Sequence, residues 1–331
     1  MAGAAFEEND LSDKPRINVI RRFPDAVIER AERDYGAAVN REDIVWNGDD
    51  LIAQAQGFDG MLSSSGNKLP ADVIDRLPDR LKIIACYSVG YEHVDLEAAK
   101  ARGLIITNTP DVLTQSTADT ALLLLLAAAR RAREAMSMVV EGRWVGWQPT
   151  QLLGVQPRGR RLGILGMGRI GRALAHRARA LDMEIHYHNR SRLQPDLEQG
   201  AVYHDSARDL FSVSDFLSIH CEMTPETEKL VNAETIELLP ENAIVINTAR
   251  GGVIDDDALI AALESGRVFA AGLDVFAGEP KLDPRYRELK NAFTTPHIGS
   301  ATVDTRNAMG FRALDNLDAY FRGEDPPDRL T

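Results

Sequence analysis

Residues 161–175, RLGILGMGRIGRALA, place a short apolar run, a glycine-rich turn and a helix-forming run in immediate succession. The turn has the form G-x-G-x-x-G, with Gly166, Gly168 and Gly171 at the fixed positions. In such a turn the first glycine permits a tight bend, the second lets backbone amides approach a pyrophosphate, and the third lets the helix pack on the strand. The phosphates then lie at the positive end of the helix.

The residues that follow strengthen this interpretation. A second strand-like run, 183–188, comes one helix length later and completes a βαβ unit of roughly 30 residues. A glycine turn with a purely structural role is the alternative. The context favours a dinucleotide-binding unit.

Length, charge and cysteine content narrow the class of protein. A chain of 331 residues predicts two domains. The net charge of -12 argues against a nucleic-acid partner, because no basic stripe is present to follow a phosphate backbone. Cys86 and Cys221 are far apart and form no CxxC motif, so we expect no disulfide framework and no metal site, with both thiols buried in strands.

Two segments bear on location. Residues 1–13 are polar and acidic and lack the features of a secretory signal, so we interpret them as a frayed tail. The apolar run 118–129 is too short to cross a bilayer and predicts a buried helix. The sequence therefore predicts a cytoplasmic protein without a membrane partner.

Strand-like and helix-like segments alternate on both sides of a long apolar helix, which we predict as one helix over residues 116–139. Alternation of this kind predicts parallel sheets with helices on both faces. The predicted strands are 16–20, 60–63, 81–86 and 104–108 before that helix, and 161–165, 183–188, 215–220, 242–247, 269–273 and 292–295 after it. The fold class is therefore α/β, with two doubly wound parallel-sheet domains, a Rossmann-type cofactor domain and a flavodoxin-like substrate domain, and a cleft between them.

The last predicted helix, 301–321, is expected to return to the first domain. We predict a discontinuous substrate-binding domain over residues 14–112 and 300–331, and a dinucleotide-binding domain over residues 113–299. Open α/β sheets bind ligands at the carboxyl ends of their strands, so we expect the catalytic and binding residues just after strands.

Three residues just after strands can carry that chemistry: Arg250, Glu279 and His297. Taken singly, each is more simply an idle surface group. Taken together, they fit reduction of a 2-oxo acid. A nicotinamide exchanges only hydride, so the protein must supply a proton, and a His paired with a Glu can protonate the carbonyl oxygen. An adjacent Arg can grip the carboxylate of such a substrate with two parallel hydrogen bonds.

Four motifs in this order resemble the D-isomer-specific 2-hydroxyacid dehydrogenases: residues 166–171, 248–252, 272–280 and 296–300. The resemblance extends from about Ile17 to Tyr320. It implies that Arg250 binds substrate, that His297 is the acid/base and that Glu279 is its partner. It also implies two domains that close over a cleft, and a homodimer built largely on the cofactor domain.

The resemblance extends to further positions. It implies that the amides of Val89 and Gly90 meet the substrate carboxylate, that Thr117 lies near the nicotinamide, and that Asp274 faces the nicotinamide end. The predicted cofactor-binding residues are Thr117, Gly166, Gly168, Arg169, Ile170, Asn189, Arg190, Ser191, Thr248, Ala249, Arg250, Asp274, His297 and Gly299.

The end of the second strand predicts the cofactor. NAD sites normally carry an acidic residue about 20 residues after the glycines, where it binds the ribose hydroxyls. Here Asn189 is followed by Arg190 and Ser191, which can bind a 2'-phosphate. We therefore predict NADP(H) over NAD(H). A basic surface turn is the alternative.

The loop with Trp144 and Trp147 bears on the substrate. Its form, Gly142-Arg143-Trp144-Val145-Gly146-Trp147, resembles the glyoxylate/hydroxypyruvate reductase branch, in which the second tryptophan reaches the partner subunit's active site. A bulky wall there favours small 2-oxo acids, so we predict glyoxylate or hydroxypyruvate as substrate. Ordinary packing of both aromatics is the alternative.

Two other functions stay open at this point. A D-lactate dehydrogenase, or one for another D-2-hydroxy acid, is the nearer alternative. A dinucleotide-sensing protein similar to a corepressor is the alternative from a different class, because such proteins can keep all of these motifs. The physiological direction of the reaction does not follow from the sequence.

Overall fold

A computed structural model describes residues 14–331 of the chain. The predicted tail at residues 1–13 lies outside the described residues. Backbone contacts divide the described chain into two units, one formed by residues 14–112 together with Thr302–Thr331 and the other by Leu113–Ala301. Each unit contains one parallel sheet covered by helices, which confirms the predicted fold class.

The first unit contains a five-stranded sheet in the order β2-β1-β3-β4-β5, with every neighbouring pair parallel. This is the strand order of flavodoxin-like folds. Its strands are β1 (Ile17–Val19), β2 (Ala38–Val39), β3 (Gly60–Ser64), β4 (Ile83–Tyr87) and β5 (Ile105–Thr107). Its helices are α1 (Asp25–Tyr35), α2 (Gly48–Ala55), α3 (Ala71–Ile74), α4 (Leu96–Ala101) and α12 (Val303–Phe321), numbered in chain order.

Helix α12 packs within this first unit although it lies at the far end of the chain. A Cβ at Gly310 would come within 2.3 Å of the Val27 side chain, so glycine permits the close approach of α12 to α1. The Arg30 guanidinium of α1 donates to Asp315 and Asp318 on α12, at 2.7 and 2.6 Å. Both apolar packing and ion pairs therefore fix α12 to this sheet.

The second unit contains a seven-stranded parallel sheet in the order β12-β11-β10-β9-β6-β7-β8. With β6 counted as the first strand, this is the Rossmann strand order 3-2-1-4-5-6 with one further strand, β12, at the edge. Its strands are β6 (Arg161–Leu165), β7 (Glu184–His188), β8 (Val202–Tyr203), β9 (Phe216–Ile219), β10 (Ala243–Asn247), β11 (Val268–Leu273) and β12 (Ala292–Thr294). Its helices are α5 (Thr114–Ala129), α6 (Ala132–Val140), α7 (Arg169–Arg179), α8 (Pro195–Glu198), α9 (Ala207–Val213), α10 (Ala233–Ile236) and α11 (Asp256–Ser265).

Alternate residues of the central strands enter two separate apolar clusters. Leu217 and Ile219 pack in the cluster on one face of the sheet, whereas Phe216 and Ile244 pack in the cluster on the other face. The period of two in β-strands explains this division. Burial on both faces leaves only the strand ends open to a ligand.

Three sequence predictions are wrong in detail. The single helix predicted over 116–139 is two helices, α5 and α6, because Arg131 adopts a left-handed conformation with φ of 52°. Cys86 is buried in β4 as predicted, but Cys221 lies beyond the end of β9 and is partly exposed. The edge strands β2 and β8 were not predicted, because two residues are too few to show a periodic pattern.

Within residues 14–331, every helix falls short of the length or apolarity that a bilayer crossing requires. The predicted cytoplasmic location stays a prediction.

Candidate active site

The glycine turn between β6 and α7 is shaped by backbone contacts that a side chain would block. Gly166 has a φ of 92°, and a Cβ there would lie 2.6 Å from the Cys221 amide nitrogen. A Cβ at Gly171 would lie 2.8 Å from the Gly166 carbonyl oxygen. At Gly168, by contrast, an added Cβ would meet nothing within 4 Å. Gly166 and Gly171 therefore permit close packing, and Gly168 keeps open space beside the start of α7.

These features fit a dinucleotide. Arg169 and Ile170 form the first turn of α7, where helix amides and the helix dipole favour a phosphate. Thr248, beyond the end of β10, is buried, and its hydroxyl has no hydrogen-bond partner among residues 14–331. An unpartnered buried hydroxyl at a strand end is what a polar ligand would satisfy.

Asn189 lies at the end of β7, and its side chain is directed to the glycine turn. Its Oδ1 accepts the Met167 amide at 2.6 Å, and the Gly166 amide donates to the His188 carbonyl at 2.9 Å. Asn189 therefore holds the turn in place. The adjacent Arg190 is exposed, and so is Ser191.

The turn with Arg250 is held by Asn247, the last residue of β10. The Asn247 side chain accepts the Ala249 amide and donates to the Arg250 carbonyl, both at 2.9 Å. A Cβ at Gly251 would lie 1.9 Å from the Phe276 carbonyl carbon, so glycine lets this turn approach the loop after β11. Asn247 was not among the predicted site residues, although an asparagine that ends an apolar strand-like run is a sequence signal for such a role.

His297 and Glu279 form a direct pair. His297 Nδ1 lies 2.7 Å from Glu279 Oε2, and the Phe276 amide donates to Glu279 Oε1 at 2.7 Å. Burial by itself would raise the pKa of Glu279, but hydrogen bonds from His297 and Phe276 and the charges of His297 and Arg250 outweigh burial and lower that pKa. Glu279 is therefore a carboxylate at neutral pH, and it fixes one ring nitrogen of a half-exposed imidazole.

Asp274 supports the turn that carries His297. Asp274 is 1% exposed, and its side chain accepts three hydrogen bonds from the turn. Oδ1 accepts the Thr295 hydroxyl at 2.6 Å and the Ile298 amide at 2.7 Å, and Oδ2 accepts the Gly299 amide at 2.7 Å. The Asp274 backbone carbonyl accepts the His297 amide at 2.9 Å. These contacts hold His297 at a φ of 54°, a strained value for a residue with a side chain.

The second unit thus brings together most of the predicted site. Gly299 is also near Thr117 of α5, because a Cβ at Gly299 would lie 3.6 Å from the Thr117 hydroxyl. Val89 and Gly90 lie in the first unit, in the turn after β4, and their predicted contact with a substrate carboxylate stays a prediction. Trp147 lies in the loop after α6 and is 80% exposed. Placing Asp274 beside the nicotinamide also stays a prediction.

One parallel sheet carries a glycine turn that fits a dinucleotide at the end of one strand, and a His–Glu pair beside an arginine at the ends of other strands. These features together define an NAD(P)-dependent oxidoreductase. Residues 122–299 match the family model described as D-isomer specific 2-hydroxyacid dehydrogenase, NAD binding domain. The chain belongs to this family.

Three relatives illustrate the similarity. Glycerate dehydrogenase of Hyphomicrobium methylovorum is 43% identical over 94% of this chain and 98% of its own length. Glyoxylate reductase of Thermococcus litoralis is 41% identical over 95% and 96%. The crystal structure of an NADPH-dependent glyoxylate/hydroxypyruvate reductase from Sinorhizobium meliloti, in complex with NADP and malonate, superposes with a TM-score of 0.84 at 35% identity, covering 96% of this chain and 97% of that one.

Proposed function

We propose that this enzyme reduces glyoxylate and hydroxypyruvate to the corresponding 2-hydroxy acids, with NADPH as the preferred cofactor. The observation that carries the proposal is the 2.7 Å contact between His297 and Glu279, on the same sheet as the glycine turn and close enough to Arg250 for its charge to act on Glu279. The names of the relatives support a small 2-oxo acid as substrate.

The chain's own residues have distinct tasks in this reaction. Arg250 binds the carboxylate of the oxo acid and orients its carbonyl. When bound, the reduced nicotinamide supplies the hydride that adds to the carbonyl carbon. His297 gives the proton on Nε2 to the carbonyl oxygen, while Glu279 holds Nδ1 and stabilises the charged ring before transfer. The product is a 2-hydroxy acid, and His297 regains its proton from solvent.

The preference for NADPH is supported by the residues after β7. Position 189 is an amide instead of a carboxylate, so it places no negative charge against a 2'-phosphate. Arg190 and Ser191 are exposed. The charge of Arg190 acts on the Glu226 carboxylate, with which a 2'-phosphate would compete for this cation. A charged hydrogen bond contributes about 1.5–3 kcal/mol, which corresponds to roughly tenfold to hundredfold in affinity.

The first prediction tests substrate and cofactor together. A panel of 2-oxo acids with NADPH and NADH, followed by loss of nicotinamide absorbance, should give the highest kcat/KM with glyoxylate or hydroxypyruvate and about a tenfold or larger preference for NADPH. Arg190→Ala should remove most of that preference, whereas Arg208→Ala, on the exposed surface of α9, should not. Higher kcat/KM with pyruvate would favour a D-lactate dehydrogenase, and absence of turnover would favour a dinucleotide sensor.

We also propose that the enzyme is a homodimer in which Trp147 contributes to the partner's substrate site. Support comes from exposed apolar side chains on α6 and the loop after it, where Val140 is 83% exposed, Val145 88% and Trp147 80%. Several large apolar side chains exposed along one short stretch are typical of an interface.

The second prediction concerns this tryptophan. Trp147→Ala should raise kcat/KM for phenylpyruvate relative to glyoxylate by about tenfold, because removal of a bulky wall admits larger side chains. Trp144→Ala, in the same loop, serves as the matched control, and sedimentation shows whether either variant stays dimeric. An unchanged ranking of small and bulky oxo acids would refute the role of Trp147.

A further inference from the structure

The loop between β7 and α8, residues 189–193, is fastened at both ends by side chains of the second unit. At its start, Asn189 accepts the Met167 amide, and the Tyr203 hydroxyl donates to the Asn189 carbonyl at 3.4 Å. At its end, the Leu193 amide donates to the Tyr187 hydroxyl at 3.1 Å. Only the middle of the loop is left to meet a ligand.

Arg192, in this same loop, is turned away from that role. Its guanidinium makes a two-point contact with Glu198, with Nε at 2.7 Å from Oε1 and Nη2 at 3.1 Å from Oε2. The Tyr187 hydroxyl donates to the same Oε1 at 2.5 Å. The hydrogen bond from Arg192, followed by that from Tyr187, lowers the pKa of Glu198, so it is an ionised acceptor for both donors.

The hydrogen-bond network of Tyr187, Arg192 and Glu198 is centred on buried side chains. Tyr187 is fully buried on β7, and Glu198 is 6% exposed at the end of α8. Arg179 of α7 donates to the Glu198 and Gln199 carbonyls, both at 3.0 Å, and so fixes the backbone that carries Glu198. A buried carboxylate is retained only where donors satisfy it, and here the donors are a strand residue and a loop residue.

We propose that Glu198 is a positioning residue for cofactor specificity: by holding Arg192 and, through Tyr187, the end of the loop, it presents Arg190 and Ser191 to the 2'-phosphate of NADPH. Arg192 acts through Glu198 and is not itself a phosphate ligand. The benefit is preorganisation, because a loop that is ordered before binding loses less conformational entropy on binding. This inference rests on the proposed preference for NADPH.

The test uses ligands that report the 2'-phosphate without catalysis. Wild type and Glu198→Gln are titrated calorimetrically with 2',5'-ADP and with 5'-AMP, which differs from it only in lacking the 2'-phosphate. Glutamine keeps the size of the side chain and one acceptor oxygen, but removes the charge that binds Arg192. We expect the Kd for 2',5'-ADP to rise about tenfold and the Kd for 5'-AMP to change by less than about twofold. In turnover, KM for NADPH should rise with kcat unchanged.

Asp215→Asn is the matched control. The Asp215 carboxylate accepts the Arg161 amide and guanidinium at 2.9–3.1 Å and is 14% exposed, so it forms a comparable ion pair in the same unit. Asp215 immediately precedes β9, and its partner Arg161 is the first residue of β6, at the opposite end of that strand from the glycine turn. Its loss should lower stability to urea without separating the two ligands.

A double-mutant cycle locates the role of Arg192. If Arg192 acts through Glu198, Glu198→Gln combined with Arg192→Gln should weaken 2',5'-ADP binding no more than Glu198→Gln alone. A further, additive loss would show that Arg192 binds the phosphate directly and would overturn the inference. Equal weakening of both ligands, or of neither, would overturn it too, because it would show a merely structural role. If wild type itself does not favour 2',5'-ADP, the cofactor preference and this inference fail together; if only Glu198→Gln is without effect, the inference alone fails.

Discussion

His297→Asn should lower kcat for oxo-acid reduction by about 10²–10⁴-fold, the range that a positioned general acid contributes. His297 Nδ1 is held at 2.7 Å from Glu279 Oε2, so Nε2 is the nitrogen that can give a proton to the substrate. Asparagine is chosen because position 297 has a φ of 54°, and asparagine tolerates this left-handed conformation better than other residues with a side chain. The turn therefore survives the substitution while the transferable proton is lost.

Three measurements make this result decisive. Affinity for the dinucleotide, followed by fluorescence titration, should stay within about twofold of wild type, because His297 acts mainly in the transition state. His176→Asn, on the exposed face of α7, should leave kcat unchanged. Glu279→Gln should lower kcat while leaving affinity for the dinucleotide unchanged, since the ring loses the carboxylate that fixes Nδ1. Retention of most of kcat in His297→Asn would refute the acid/base assignment.

Asp274→Ala should cost about 3 kcal/mol of unfolding free energy and about 100-fold in kcat. The stability loss follows because the Ile298 and Gly299 amides and the Thr295 hydroxyl would lose a buried acceptor at once. The rate loss follows because the same contacts set the backbone of His297, and a small misplacement of a reacting group is costly. Urea denaturation and steady-state kinetics measure the two effects.

Asp283→Ala is the control for a lost carboxylate in the same unit. Asp283 accepts the Arg285 amide and guanidinium near the surface, where one amide is exposed to water once the acceptor is removed. Its loss should change stability by less than about 1 kcal/mol and leave kcat unchanged. A normal kcat in Asp274→Ala would show that His297 holds its conformation without Asp274.

The features that could be predicted from the sequence are those determined by residues close together in the chain. The glycine turn at residues 166–171 demands a backbone that only glycine permits, and the apolar strands of the second sheet are buried on both faces, so both leave a clear pattern. The site residues Arg250, Glu279 and His297 could be grouped because each follows a strand of one parallel sheet. The arrangement of those strands fixes their proximity.

The features that the sequence did not predict are the hydrogen-bond partners of particular polar side chains. The assignment of Asn189 to the cofactor stays a prediction, but the sequence did not show that its amide oxygen accepts the Met167 amide, or that the Asp274 carboxylate accepts amides of the turn after β12. Arg192 is turned to Glu198, six positions further along the chain. These hydrogen-bond partners are determined by tertiary distances of a few ångströms. The interruption at Arg131 is of the same kind, since nothing in the helical pattern of residues 116–139 marks it.

The return of α12 to the first sheet has a consequence for biosynthesis. The Leu330 amide donates to the Ile106 carbonyl and the Thr331 hydroxyl donates to the Leu104 carbonyl, so β5 receives its final partners from the end of the described chain. The second unit is continuous in sequence and can fold as it leaves the ribosome. The five strands of the first unit are made before the second unit, but α12 and residues 330–331, which contact them, are made after it, so the first sheet must wait for these partners while the inserted unit is synthesised.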